Sequence, residues 1–303
     1  MKKSYIIILG ILISFAVGCG DSDDVKPTEN MRDWYEITNK PGEVNQTIYR
    51  IYKDYGLSIF VNDTLGQEDR GVDSYGNPLI HTELFDMGYY VYGKYTDGKL
   101  CLSSDSTAML KMLTMIEERV APNLPAPGAY RLHSILLADS IFLTERINSN
   151  VVTREVALYT KGVKGIVVGK LNAVNNMEEK ELNLLGGKIL AVKCTDWILE
   201  NKSNELEDFY KITNPKNYDK VSPSRFAPAE QPELLGFFDW LEVNSSIVTP
   251  SRETDISDYI SYVYAYRESE EKFLEEYESF DKIIKKYKII KSFVEDFERI
   301  NKK

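Results

Sequence analysis

Histidine and cysteine are scarce in this chain: two histidines and three cysteines in 303 residues. A metal site built mainly from imidazoles would need both His81 and His133, which stand 52 positions apart. Three cysteines cannot build a four-cysteine zinc site or a disulfide-dense scaffold. A Ser-His-Asp enzyme would have to draw on one of the same two histidines. Positive charge is also in short supply, with 37 basic against 47 acidic residues and a net of -10. That balance argues against a nucleic-acid partner. Nor is there a bilayer-spanning run. The one long apolar stretch, residues 5–17, is 13 residues, short of the roughly 20 that cross a membrane.

That stretch fits a signal peptide. Lys2 and Lys3 precede it, and it ends in Ala16-Val17-Gly18-Cys19. Small residues before a cysteine resemble a bacterial lipobox, with Ala16 where Leu is commoner. Cys19 would be lipidated and become the mature N-terminus. The acidic run Gly20-Asp21-Ser22-Asp23-Asp24 resembles the surface-export signal of Bacteroidetes lipoproteins. Acyl chains would then hold the protein on the membrane without a spanning helix. The expected organisation is a signal peptide over 1–18, a polar tether over 19–31 and one domain over 32–303. In an exported protein Cys101 and Cys194 could pair, or stay as two separate thiols.

At 43% hydrophobic and 28% charged the chain reads as globular. Residues 33–102 are turn-rich and hold many of its 20 tyrosines, including Tyr89, Tyr90, Tyr92 and Tyr95. Residues 49–55 start as a helical turn that Gly56 ends, and 57–61 look like a short strand. A helix is expected over 105–120, capped by Asp105, with Met109, Met112, Leu113, Ile116 and Val120 on one face. Strands are expected at 135–143, 155–160 and 164–170. A long helix over 178–200 carries Leu182, Leu185, Ile189 and Val192, weakened by Gly186-Gly187. Helices over 253–267, 270–279 and 281–300 follow, the last with its lysines on a solvated face. This order predicts an α+β domain with a mixed sheet covered by helices.

The same order resembles the zincin-like architecture, and more narrowly the zinc-binding metallopeptidase lipoproteins of Bacteroidetes. The likeness covers roughly residues 47–300. It is carried by Ile51-Tyr52-Lys53-Asp54-Tyr55-Gly56, Leu136-Leu137-Ala138-Asp139-Ser140, Ile198-Leu199-Glu200-Asn201-Lys202, Gly236-Phe237-Phe238, Thr254-Asp255-Ile256-Ser257-Asp258 and the lysine-rich last helix. A member of this family holds zinc with H-E-x-x-H on the long helix. Aligned on the following Ile-Leu and Asn-Lys, this chain reads Lys193-Cys194-Thr195-Asp196-Trp197. Lys193 stands for the first histidine, Cys194 for the glutamate and Trp197 for the second histidine. Ammonium and indole offer a metal no lone pair, so no zinc and no cofactor are expected.

The resemblance implies a non-catalytic, degenerate fold: a surface-exposed outer-membrane lipoprotein that helps a SusC/SusD-type transporter capture a peptide or glycan. Two alternatives stay open. A hydrolase could use a non-standard site, and Asp196, Glu200, Asp255 and Asp258 could form a weak carboxylate site. Cys194 as a nucleophile would need a base that the sequence does not identify. The tyrosine-rich segment of residues 35–95 could instead bind carbohydrate. Trp197 either fills the volume of the lost metal site or floors a groove. His81 reads as a surface residue, His133 as a strand residue.

Overall fold

The first described helix begins behind Gly42 and stops where the sequence asks. It is α1, Glu43–Tyr55, and Gly56 takes a left-handed conformation with its N–H on the Tyr52 carbonyl. This computed structural model describes residues 32–85, 96–147, 150–159, 165–223, 231–243 and 246–302. Two compact units are distinguished, Met1–Trp34 and Tyr35–Lys303. Of the first, only residues 32–34 are described, with the Arg32 guanidinium 4.6 Å above the Trp34 ring. The segments expected to be a signal peptide (1–18) and a tether (19–31), with Cys19, lie outside the described residues, as do Tyr89, Tyr90, Tyr92 and Tyr95.

Within Tyr35–Lys303 the strands are β1 (Ser58–Phe60), β2 (Thr64–Val72), β3 (Pro78–Leu84), β4 (Thr96–Cys101), β5 (Ser134–Leu137), β6 (Ser140–Ile147), β7 (Asn150–Val156), β8 (Leu158–Tyr159), β9 (Gly165–Val168), β10 (Val221–Pro223), β11 (Leu241–Val243) and β12 (Ser246–Val248). The helices after α1 are α2 (Ser106–Met115), α3 (Leu171–Val174), α4 (Glu179–Asn201), α5 (Leu206–Thr213), α6 (Pro232–Leu235), α7 (Arg252–Ala265), α8 (Glu270–Glu276) and α9 (Asp281–Asn301). The fold is α+β, with a mixed sheet and a long helix, α4.

The central sheet has the order β1-β5-β9-β8. β1, β5 and β9 run parallel, and β8 lies antiparallel at the edge. All four residues of β5 are buried, as a strand covered on both faces requires. Ile135 and Leu137 face a core shared with the helices, while Leu136 faces a second, smaller core. The antiparallel sheet β4-β6-β7 supplies Ile141 and Leu143 to that second core. The expected strand over 135–143 is therefore two strands in two sheets. The chain changes sheet at Ala138-Asp139, where Ala138 N donates to Val168 O and Asp139 N to Cys101 O. β2 and β3 form a hairpin with Leu79, Ile80 and Leu84 exposed.

Asp105 caps α2 by accepting from Thr107 N and Ala108 N. The helix expected up to 120 first widens and then tightens, through a π-helical stretch Ile116–Val120 and a 3₁₀ turn Ala121–Asn123. A capping box between Glu178 and Glu181 opens α4. Gly186 and Gly187 are both buried in α4. A Cβ on Gly187 would lie 2.2 Å from the Ser261 carbonyl oxygen, so glycine here lets α4 and α7 touch backbone to backbone. Among the described residues, no helix is long and apolar enough to cross a membrane.

The solvated lysine face expected on α9 needs a correction. Lys285 and Lys288 are exposed, but Lys286 has no exposed surface at all. Its ammonium donates to Asp255 Oδ2 at 2.6 Å, Gly236 O at 2.7 Å and Thr213 Oγ1 at 2.9 Å. Tyr218 donates to the same Asp255 oxygen at 2.7 Å. The rings of Phe209 and Tyr259 lie 4.4 and 4.7 Å from the ammonium. One lysine thus ties α5, α6, α7 and α9 together. Burial pushes its pKa down to about 8 and pushes the Asp255 carboxyl up; each partner opposes the other's shift.

Candidate functional site

Contact between α4 and α7 leaves one face of each helix uncovered beside the small sheet and the β7–β8 edge. From α4 come Leu184, Lys188, Val192 and Asp196, at successive spacings of four. From α7 come Thr254, Ser257, Asp258, Ser261 and Tyr262, at helical spacing. These residues floor a groove with two continuous segments that share Arg154, Lys188, Ser251, Thr254 and Asp258. One segment, about 540 Å³, is walled by Val156, Leu158 and Tyr159 of the strand edge. The other, about 510 Å³, is walled by Phe238, Trp240, Leu241 and Val248. Both volumes fall in the roughly 300–1,000 Å³ range of small-molecule sites.

Arg154 is already engaged, its Nε 2.6 Å from Glu145 across the β6–β7 hairpin. Lys188 and Asp258 are different. Both are half-buried, and neither makes a hydrogen bond or close ion pair with a described residue. Burial pushes the Asp258 carboxyl up to about 7. Asp255 and Asp239 add to that rise, and the Lys188 and Lys286 cations oppose it. Thr195, 4% exposed, lines the strand-edge segment. Its hydroxyl has no hydrogen-bond partner among the described residues. Phe238 and Tyr262 stack with centroids 3.7 Å apart and planes at 10°. Trp240 is half-buried in the groove wall, and no ring stacks on it among the described residues.

The residues read from the sequence as the degenerate catalytic turn do not line this groove together. Lys193 pairs with Asp196 at 3.0 Å. Cys194 is fully buried, and burial pushes its thiol far above the ordinary value, which removes it as a nucleophile. Trp197 packs in the core with its ring 5.6 Å from that of Phe297. Its role is packing, not flooring a groove. The i, i+4 pairs of α4 that do face the groove are Leu184/Lys188, Lys188/Val192 and Val192/Asp196. An ammonium and an isopropyl group cannot ligate zinc, so these residues do not fit the ion that the resemblance would imply.

The four carboxylates considered as a weak oxygen site are likewise dispersed. Asp196 and Asp258 line the groove. Glu200 instead accepts from the Tyr130 hydroxyl at the far end of α4, and Asp255 is committed to Lys286 and Tyr218. Among the described residues, no group of three or more His, Cys, Asp or Glu is placed to hold a metal ion. Cys101 and Cys194 are both free thiols. His81 is partly exposed on β3, 2.9 Å from Glu83. His133 is exposed just before β5. Sequence reasoning missed Lys188 and Trp240. The signal for Lys188 was available, because it falls four residues before Val192 and eight before Asp196. Comparison with family models, with curated proteins and with solved structures finds no match to this chain.

Proposed function

We propose that this chain is a non-catalytic capture protein with a degenerate zincin-like fold. It is lipid-anchored through Cys19 to the outer membrane, exposed at the cell surface, and serves a SusC/SusD-type transporter by holding a peptide or glycan. The observation that carries the reading is the composition of the groove. Its helical floor presents Leu184, Lys188, Val192, Asp196, Thr254 and Asp258, a mixture of donors, acceptors and apolar surface without a histidine. Support for the zincin-like part is the long helix beside a mixed sheet whose antiparallel edge strand, β8, walls the same groove. In the test, the purified protein is assayed for zinc and incubated with peptide and oligosaccharide libraries. We expect no stoichiometric zinc and uncut substrates; zinc together with cleavage would overturn the proposal.

One observation favours a hydrolase instead. A carboxyl held near 7 in a groove is poised to act as a general acid. If an activity exists, Asp258→Asn should lower it by about 10²–10⁴-fold on that reading. Wild-type protein without activity would remove it.

A further inference from the structure

The two segments of the groove differ in their walls, and the difference bears on what is held. At the strand-edge segment the wall is Val156, Ala157 and Leu158 with a single ring, the buried Tyr159. At the other it is aromatic, with Trp240 next to the stacked Phe238 and Tyr262. The Phe238 and Tyr262 faces are spent on each other, at 3.7 Å between centroids, whereas the indole of Trp240 has no stacking partner among the described residues. Half-burial of that indole holds it in place while leaving surface to the groove.

Opposite the rings, the floor offers polar groups of both kinds. Lys188 carries three N–H donors and no acceptor, and Asp258 is an acceptor that also donates when protonated. Ser251 and Thr254, whose hydroxyls meet each other at 2.9 Å, line the same segment, and Ser261 does so with its hydroxyl proton given to the Ser257 carbonyl. The formal charges around it are Lys188 and Arg154 against Glu145, Asp219, Asp239 and Asp258, an excess of acid that disfavours an anionic ligand. A ligand matched to this segment is uncharged, carries many hydroxyls, and presents one apolar face to a ring. Those are the properties of a pyranose.

We propose that the aromatic segment is a subsite for a neutral oligosaccharide. Trp240 stacks on the apolar face of a sugar ring, and Lys188 and Asp258 hydrogen-bond its hydroxyls. This rests on the groove being the capture site and narrows its ligand from peptide or glycan to glycan. The stacking follows the ordinary preference of rings for offset contact with an apolar face. The mixed donors and acceptors fix orientation, as in most small-molecule sites.

The test is an array of neutral oligosaccharides probed with the purified full chain, with a peptide array run in parallel. Calorimetric titration of the strongest hit into wild type, Trp240→Ala, Trp240→Phe and Lys188→Ala follows, with circular dichroism melts to confirm folding. We expect a glycan hit whose affinity falls about tenfold or more in Trp240→Ala and Lys188→Ala. Trp240→Phe, which keeps a ring, should recover part of the loss. No glycan hit, or a hit retained undiminished in both alanine variants, overturns the subsite. Binding confined to peptides and weakened by Lys188→Ala also overturns it, yet leaves the groove standing as a capture site. A bound oligosaccharide that is then cut would do the reverse: it would keep the subsite and end the non-catalytic reading.

Discussion

At the scale of single residues, two charged side chains on neighbouring elements behave in opposite ways. Lys286 is buried with every ammonium proton satisfied, by Asp255, Thr213 and Gly236. Removing one partner of such a pair strands the other charge, so Lys286→Met should cost about 3–5 kcal/mol in urea unfolding. A loss below about 1 kcal/mol would show that the pair holds nothing together. Asp258 is half-buried without a hydrogen-bond partner among the described residues, and its sign is the reverse. Its ordinary value is 3.8 and its value in the fold is about 7. Between those values the folded chain holds a proton that the unfolded chain has released. Stability therefore falls as pH rises through that window, and the penalty is fully present above it. Asp258→Asn removes the ionisable group. The variant should lose this pH slope and gain on wild type at about pH 8, measured by thermal melts across the range. Parallel curves for the two proteins would contradict the assignment. A group that lowers stability at neutral pH while facing a groove is the kind retained for binding.

At the scale of elements, most helix limits were legible because their signals are local. Asp105 before an apolar-periodic run, Glu178 with Glu181, and Gly56 after Tyr55 each act within four residues. The strands were harder. Residues 135–143 are two apolar runs split by Asp139-Ser140, a polar pair too short to say that the chain changes sheet there; the change is fixed by Val168 and Cys101, at distant points in the chain. Lys286 was misread for the same reason, since its partner Asp255 is 31 residues away. The Gly186-Gly187 pair was legible only as a weakness of α4. Structure separates the two. A Cβ at Gly187 would collide with the Ser261 backbone, while at Gly186 the nearest neighbour is Met115 Sδ at 3.4 Å. Gly187→Ala should therefore destabilise by about 1–3 kcal/mol or more. Gly186→Ala should be neutral or gain up to about 1 kcal/mol. Equal effects in thermal melts would mean that α4 and α7 do not meet at Gly187.

For the whole molecule, the scarcity of histidine acquires a place. A groove lies where helices α4 and α7, the β7–β8 edge and the small β10-β12-β11 sheet converge. Its floor is built from lysine, aspartate, threonine and aliphatic residues. The candidate site was only half legible in the sequence. Asp196 could be named from its i, i+4 spacing with Glu200 and Asp258 from the resembled segment Thr254–Asp258, but Trp240 reaches the groove from a loop after α6, a placement that no periodicity encodes. Lys193 and Trp197 are near in sequence to the groove-facing residues of α4 yet turned from them by the helical twist. On the proposed reading this groove holds a ligand without cutting it. The most direct measurement is mass spectrometry of a mixed oligosaccharide and peptide pool after incubation with the protein, with retained and free fractions weighed separately. The account predicts a retained fraction of unchanged mass that disappears with Lys188→Ala. Shortened products in the free fraction, lost when Asp258 is replaced by asparagine, would contradict it.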